Sequence, residues 1–263
     1  MKKRGRVFLV GAGPGDPELM TLKAHRLLGQ AHAVVYDRLV SPEILSLAPA
    51  SARMIPVGKA PYFHPVPQQR INRILIDLAL EGLTVVRLKG GDPYIFGRGS
   101  EEAGELHAAG IPVETVPGIT AAQGAAAASG VPLTHRGMAT SVRYVTGHCQ
   151  AGRPLDLDWA GMVDPETTLV IYMGVANIAE ITTRLIEHGL SPTMPVMAVA
   201  NATTPREQRL VSCIEHIADE IDRSHLAGPV LFIVGEVVSL YRGCPERVLE
   251  RLIISPDRIR AYA

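Results

Sequence analysis

Four short runs rich in β-branched residues, Val7 to Val10, Ala33 to Tyr36, Thr84 to Leu88 and Val113 to Val116, are separated by stretches with helical periodicity. Met20, Ala24, Leu27, Leu28 and Ala31 fall on one helical face, and Ile71, Ile74, Leu75 and Leu78 keep the i, i+3, i+4, i+7 spacing. Strands joined by crossovers of this length cannot pair as hairpins. They predict βαβ units and a mostly parallel sheet buried on both faces. Beyond Pro117-Gly118 the texture becomes Ala-rich, and Leu169 to Met173, Val196 to Ala200 and Val230 to Val234 read as a second set of strands. Gln208 to Val211, leading into Ile214 to Ile221, adds one more strand and helix. The expected organisation is an N-terminal α/β domain over 1–117, a C-terminal α/β domain over 118–243, and a charged tail over 244–263 holding a short helix and a loose end.

Composition narrows the class. In 263 residues, 26 Lys or Arg balance 26 Asp or Glu, so no basic field is available to attract nucleic acid. A hydrophobic fraction of 47% suits a globular chain, and no apolar stretch has the roughly 18 residues needed to span a bilayer. The basic start Met1 to Arg6 is followed only by Val7 to Val10 before glycines intervene, which reads as a strand rather than a signal peptide. Cys149, Cys213 and Cys244 are odd in number and far apart, so neither a disulfide framework nor a zinc site is indicated, and a cytosolic location is expected. His135, His148 and Cys149 lack metal-ligand spacing, and no metal is expected.

Glycine and proline concentrate where strands end. Gly11-Ala12-Gly13-Pro14-Gly15-Asp16 invites a dinucleotide-binding reading with Asp37 as the ribose acid, but Asp16 stands where the third glycine belongs. Asp16 and Pro17 specify a helix start, and with Glu18 they put acid where a pyrophosphate needs bare N–H groups. A phosphate-free nucleoside is compatible, although a plain strand-to-helix turn explains this stretch alone. The run Leu88 to Glu102 is the most unusual in the chain. Gly90 and Gly91 permit close backbone approach, Asp92 can accept from hydroxyls, Ile95 and Phe96 can wall an apolar face, and Arg98 offers a planar fork for carboxylates, with Glu101 nearby. Pro117 to Ala122 places Thr120 near the start of an Ala-rich helix, which close helix-to-sheet packing would also explain. His135, Arg136 and Arg143, with Lys59 and His64, could form an anion-binding wall, or each could be a solvated side chain.

Together these stretches resemble the tetrapyrrole methylase family of S-adenosylmethionine-dependent enzymes. The resemblance rests on Val10 to Asp16, Tyr36 to Ser41, Val57-Gly58-Lys59, Arg87 to Glu102, Val116 to Ala122, Pro132 to Arg136 and Tyr172-Met173-Gly174, in unbroken order from about Val7 to Tyr241. It implies a homodimer of two α/β/α domains with the cofactor in a cleft between them. It implies transfer of two methyl groups to C2 and C7 of uroporphyrinogen III, giving precorrin-2 for sirohaem, cobalamin or haem d1. The signature over Gly90 to Glu102 and Pro132 to Arg136 points to that substrate over later corrinoid intermediates. Family cofactor contacts fall on Pro14, Gly90, Gly91, Asp92, Ile95, Thr120, Ala121, Met173 and Ala202, and the catalytic proton acceptor and donor on Asp37 and Lys59. Arg98, Glu101, Arg136 and Met173 would line the tetrapyrrole.

The residue types suit that chemistry. S-adenosylmethionine has a sulfonium and no phosphate, which agrees with the acid-capped first loop. A substrate with eight carboxylates calls for arginines such as Arg98 and Arg136. Asp37 is the conventional base, and Arg98, the third catalytic candidate beside Asp37 and Lys59, would have to lose its proton to act as one and is expected chiefly to position a carboxylate. Two positions depart from the family pattern: Ser100 replaces a common glycine, and Ala202 stands where Asn-Gly-Thr is usual, a change tolerated unless the position needs positive φ. Three alternatives stay open: a relative acting on another corrin precursor, on diphthine or on rRNA; a nicotinamide-dependent oxidoreductase; and a silent binder of acidic tetrapyrroles.

Overall fold

The computed structural model describes residues 4–58, 66–148, 155–224 and 226–249. The chain divides into two compact units, Met1–Gly124 and Ala125–Ala263. The division falls inside a helix, and the boundary expected at Gly118 falls in the loop just ahead of it.

The first unit contains strands β1 (Arg6–Gly11), β2 (Ala33–Tyr36), β3 (Arg53–Pro56), β4 (Thr84–Lys89) and β5 (Val113–Val116), in the sheet order β3-β2-β4-β1-β5. Every pairing is parallel. Its helices are α1 (Leu22–Leu28), α2 (Pro42–Leu45), α3 (Gln68–Leu80), α4 (Gly99–Ala108) and α5 (Ala121–Ser129), the last crossing into the second unit. Alternation along the strands explains why both faces are apolar. Val7 and Leu9 of β1 pack with Leu75 of α3 and Leu106 of α4, while Phe8 and Val10 pack with Leu27 and Leu28 of α1 and Ile44 of α2.

Two local expectations are corrected. Asp16 caps only a 3-10 turn, Pro17–Leu19, by accepting from the Glu18 N–H at 2.9 Å. The helix proper starts at Leu22, capped by Thr21, so Met20 and Ala31 flank α1 rather than belonging to it. The sequence reading also missed β3.

The second unit contains β6 (Ser141–Thr146), β7 (Thr167–Tyr172), β8 (Pro195–Ala200), β9 (Gln208–Cys213) and β10 (Val230–Val234), ordered β6-β7-β10-β8-β9. Only β6 and β7 pair in parallel; β10 runs antiparallel to both β7 and β8, and β9 antiparallel to β8. One face packs on α6 (Ile178–Glu187) and α7 (Ile217–Arg223) through residues such as Ile171, Phe232, Leu185 and Ile217. Met173, expected as the last residue of a strand, lies just past β7 with φ 55°. A short α8 (Glu246–Leu249) opens the charged tail, whose residues from 250 lie outside those described. Among the described residues no helix is long and apolar enough to cross a membrane.

Candidate active site

Connections diverge from two neighbouring strands of the first sheet. The chain after β2 runs outward to β3 at one edge, and the chain after β4 runs the other way, past β1 to β5. Such a reversal opens a crevice at the carboxyl ends of parallel strands, where open α/β sheets hold ligands. The three Gly-Pro loops follow β1, β4 and β5, so all three emerge there.

They meet main chain to main chain. Gly91 N–H donates to the Gly13 carbonyl at 2.7 Å, Gly13 N–H returns a bond to the Gly91 carbonyl at 3.2 Å, and Ala12 N–H donates to the Lys89 carbonyl at 2.8 Å. The third loop is tied in by Asp92, whose carboxylate accepts from Gly118 N–H at 3.0 Å and Tyr94 N–H at 2.8 Å. Asp92 therefore fastens the second loop to the third. A Cβ on Gly11 would lie 2.5 Å from the Gly118 nitrogen and 2.6 Å from the Gly91 oxygen, so only glycine permits this approach. Thr120 and Gln123 form a reciprocal cap on α5: the Thr120 hydroxyl accepts from Gln123 N–H at 3.2 Å, and Gln123 Oε1 accepts from Thr120 N–H at 3.1 Å. Ala121 is the first residue of that helix.

Asp37 follows β2, beside β4, and belongs to a buried charge cluster. Arg87, 2% exposed on β4, donates through Nη2 to Asp37 Oδ2 at 3.4 Å and through Nε to Glu102 Oε1 at 3.2 Å. Its Nη1 reaches the carbonyls of Val35 and Leu88. Glu102 on α4 is fully buried, and the same Oε1 also accepts from Lys89 Nζ at 3.2 Å and Gln68 Nε2 at 3.0 Å. Burial, reinforced by the Arg87 charge, pushes Lys89 below the ordinary lysine value of 10.5, against the opposing pull of Glu102 and Asp37. Among the described residues, the buried oxygens Asp37 Oδ1 and Glu102 Oε2 have no hydrogen-bond partner.

Arg98 and Glu101 stand at the exposed start of α4. Arg98 is in the left-handed region at φ 58° and grips Glu101 with both Nε (2.9 Å) and Nη2 (2.6 Å). This bidentate bond raises Arg98 above the usual arginine value and lowers Glu101 below the usual carboxylate value. A proton is thus held on Arg98 more firmly than in a free arginine, which opposes a role as base.

In the second unit, β7 and β8 both run antiparallel to β10, so their carboxyl ends lie at one edge of the sheet. Met173, half exposed, follows β7 there, and Asn201-Ala202-Thr203 follows β8. The Asn201 side chain donates to the Ala227 carbonyl at 2.6 Å, and Thr203 N–H donates to Glu207 at 2.6 Å, which fixes the loop. Ala202 is not among the residues with positive φ, although Asn201 (50°) and Thr203 (65°) are. The glycine usual at position 202 is not required by its backbone. Among the described residues, the five non-glycine residues with positive φ are Phe96, Arg98, Met173, Asn201 and Thr203. Every one lies in a loop already singled out, where strain is characteristically stored.

The profile described as Tetrapyrrole (Corrin/Porphyrin) Methylases matches residues 6–218. The chain belongs to the tetrapyrrole methylase family. It is 60% identical over 240 residues to the uroporphyrinogen-III C-methyltransferase of Paracoccus denitrificans, covering 91% of this chain and 84% of that one. It is 53% identical over 239 residues to the siroheme synthase of Azotobacter vinelandii, covering 91% of this chain but spanning only about half (51%) of that protein. The uroporphyrin-III C-methyl transferase of Thermus thermophilus, solved with S-adenyl homocysteine, superimposes with a TM-score of 0.78 at 44% identity, covering 90% of this chain and all (100%) of that one.

Within the methylase fold, the first unit brings together Pro14, Gly90, Gly91, Asp92, Ile95, Thr120 and Ala121, with Asp37, Arg98 and Glu101 on adjoining segments. Met173 and Ala202 share an edge of the second sheet. Arg136 is exposed on the turn His135–Ala139 that leads into the start of β6, whereas Met173 and Ala202 follow the far ends of β7 and β8. Lys59, His64 and Cys149 lie outside the described residues. Sequence reasoning missed Arg87, Lys89 and Glu102 as a unit. Their signal was present: two cations two residues apart in the otherwise apolar strand Thr84–Lys89, with an acid one turn into the next helix.

Proposed function

We propose that this chain is an S-adenosylmethionine-dependent C-methyltransferase that methylates uroporphyrinogen III at C2 and C7 to give precorrin-2. The observation that carries the reading is the main-chain junction of Gly11, Gly91 and Gly118 at the sheet's crevice, in a chain so similar to a uroporphyrinogen-III C-methyltransferase. That cradle suits a nucleoside without phosphates: its contacts are backbone, and the adjoining turn is capped by acid rather than offering bare N–H groups. Pro14, Gly90, Gly91, Asp92, Ile95, Thr120 and Ala121 are the first-unit residues assigned to the cofactor. The assignment extends to Met173 and Ala202 of the second unit, each to be tested by its own effect on binding.

When bound, S-adenosylmethionine supplies an electrophilic methyl group, whose S–C bond breaks as a C–C bond forms to the pyrrole carbon. The protein mainly aligns donor and acceptor. A proton must then leave the macrocycle, and Asp37, half-buried after β2, is assigned as acceptor. Lys59 is carried as proton donor on the resemblance. Arg98, with Glu101 and Met173, is assigned to the tetrapyrrole, and Arg98 takes a substrate carboxylate while keeping its proton; Arg136, at the opposite end of the second sheet from Met173, is carried to the substrate on the resemblance alone. A cytosolic homodimer is carried with this reading, and sedimentation of the purified protein tests the dimer. The activity itself is tested by incubating the protein anaerobically with S-adenosylmethionine and uroporphyrinogen III. The expected product carries the mass of two added methyl groups, and an unchanged substrate refutes the proposal.

A further inference from the structure

The charge cluster beneath the crevice is more elaborate than the fold requires. A parallel strand buried on both faces is ordinarily a run of apolar residues, and β4 instead carries Arg87 and Lys89 at 2% and 4% exposure. Taking such charges out of water is unfavourable unless they are paired and well bonded, and apolar substitutes of similar volume often serve stability as well or better. Their presence therefore calls for a second reason.

The geometry supplies one. A single guanidinium reaches four partners on three elements: Asp37 Oδ2 after β2, Glu102 Oε1 on α4, and the carbonyls of Val35 and Leu88 on β2 and β4. Nη1 is fixed by backbone and Nε by a carboxylate that is itself held by Gln68 and Lys89, so Nη2 has little freedom in where it meets Asp37. The contact occupies Oδ2 and leaves Oδ1 without a partner among the described residues. Glu102 also follows Glu101 on α4, so one rigid helix carries both the anchor of the Asp37 network and the Arg98–Glu101 pair.

We infer that Arg87 is a positioning residue for Asp37, fixing the orientation of its half-buried carboxylate as proton acceptor through a guanidinium clamped by Glu102. The inference rests on the assignment of Asp37 as base. A lysine at 87 would keep the charge but could not span Glu102, Asp37 and two carbonyls at once. Orientation and charge balance are therefore separable.

The test measures kcat and KM with S-adenosylmethionine and uroporphyrinogen III, together with S-adenosylhomocysteine affinity by calorimetry, for Arg87→Lys, Asp37→Asn and the double variant. The expected result for Arg87→Lys is a fall in kcat of tenfold or more, with S-adenosylhomocysteine affinity within twofold of wild type. Adding Arg87→Lys to Asp37→Asn should cause no further loss, since residues acting as one unit are not additive. Wild-type kcat in Asp37→Asn would overturn the base assignment and the inference with it. A reduced Asp37→Asn beside a wild-type Arg87→Lys, or a double variant in which the two losses multiply, would overturn the inference alone. Should Arg87→Lys not fold, Arg87→Gln combined with Glu102→Gln removes one buried cation together with one buried anion, keeping Lys89 balanced by Asp37, and carries the same expectations.

Discussion

Replacing Gly11 with alanine tests the loop junction directly. The added Cβ would stand 2.5 Å from Gly118 N, 2.6 Å from Gly91 O and 2.7 Å from Gly118 Cα, all main-chain atoms that no side-chain rotation can clear. Relief requires the loops to part by close to an ångström. Three hydrogen bonds resist that movement: Gly91 to Gly13, Gly13 to Gly91, and Gly118 to the Asp92 carboxylate. At roughly 1 kcal/mol net each, losing them amounts to about 3 kcal/mol, the upper end of the roughly 1–3 kcal/mol typical of overpacking. For a unit of this size that corresponds to a fall in Tm of about 10 °C. Gly104 in α4 is the control, because a Cβ there meets nothing within 4 Å. Alanine at that helical position should be neutral or stabilising by up to about 1 kcal/mol. Thermal melts of both variants, with S-adenosylhomocysteine titrations, decide the matter. Gly11→Ala melting within 2 °C of wild type (about 0.5 kcal/mol) and binding normally would refute the idea that the loops form one rigid cradle.

Arg98→Lys exchanges a planar fork for a point charge, so kcat/KM for the tetrapyrrole should fall about tenfold with S-adenosylhomocysteine affinity unchanged, as steady-state kinetics and calorimetry will show. Lys89 gives a pH signature. Because its folded value is depressed, the folded state releases this proton while the unfolded chain still holds it, so stability should climb with pH through the range just below 10.5. Lys89→Met should flatten that alkaline rise in a Tm-versus-pH comparison with wild type. Ala202→Gly should leave S-adenosylhomocysteine affinity within twofold, since the alanine sits at no positive φ that glycine would relieve.

What could be read from the chain differed between its halves for physical reasons. The inner strands of the first sheet announce themselves because burial on both faces leaves continuous apolar runs, and the loops because close backbone approach demands glycine. Strand β3, Arg-Met-Ile-Pro, lies at a sheet edge and is largely exposed, so nothing selects an apolar run there. Strand β6 is also an edge, intermediate in burial along most of its length, and its Ser-Val-Arg-Tyr-Val-Thr carries too little contrast to stand out. The antiparallel character of the second sheet depends on β10 inserting between β7 and β8, a pairing of distant segments that local periodicity does not encode. Asp16 and Pro17 were the right residues for a helix start, yet the chain makes one 3-10 turn before Thr21 starts the helix itself. The site's acid and arginine were legible as residue types. Their coupling through Arg87 and Glu102 was not, because it joins a strand to a helix fifteen residues on.

The residues held at positive φ bear on how this protein could be made hardier. Each non-glycine side chain in that conformation costs about 1 kcal/mol or more, least for asparagine. Replacing Phe96, Arg98, Met173 or Thr203 by glycine would relieve that strain. A blind selection for heat resistance would therefore be drawn to the loops assigned to the chemistry, where, on that assignment, its winners would lose activity. In this chain, a map of where glycine is preferred for durability is also a map of what durability must leave untouched.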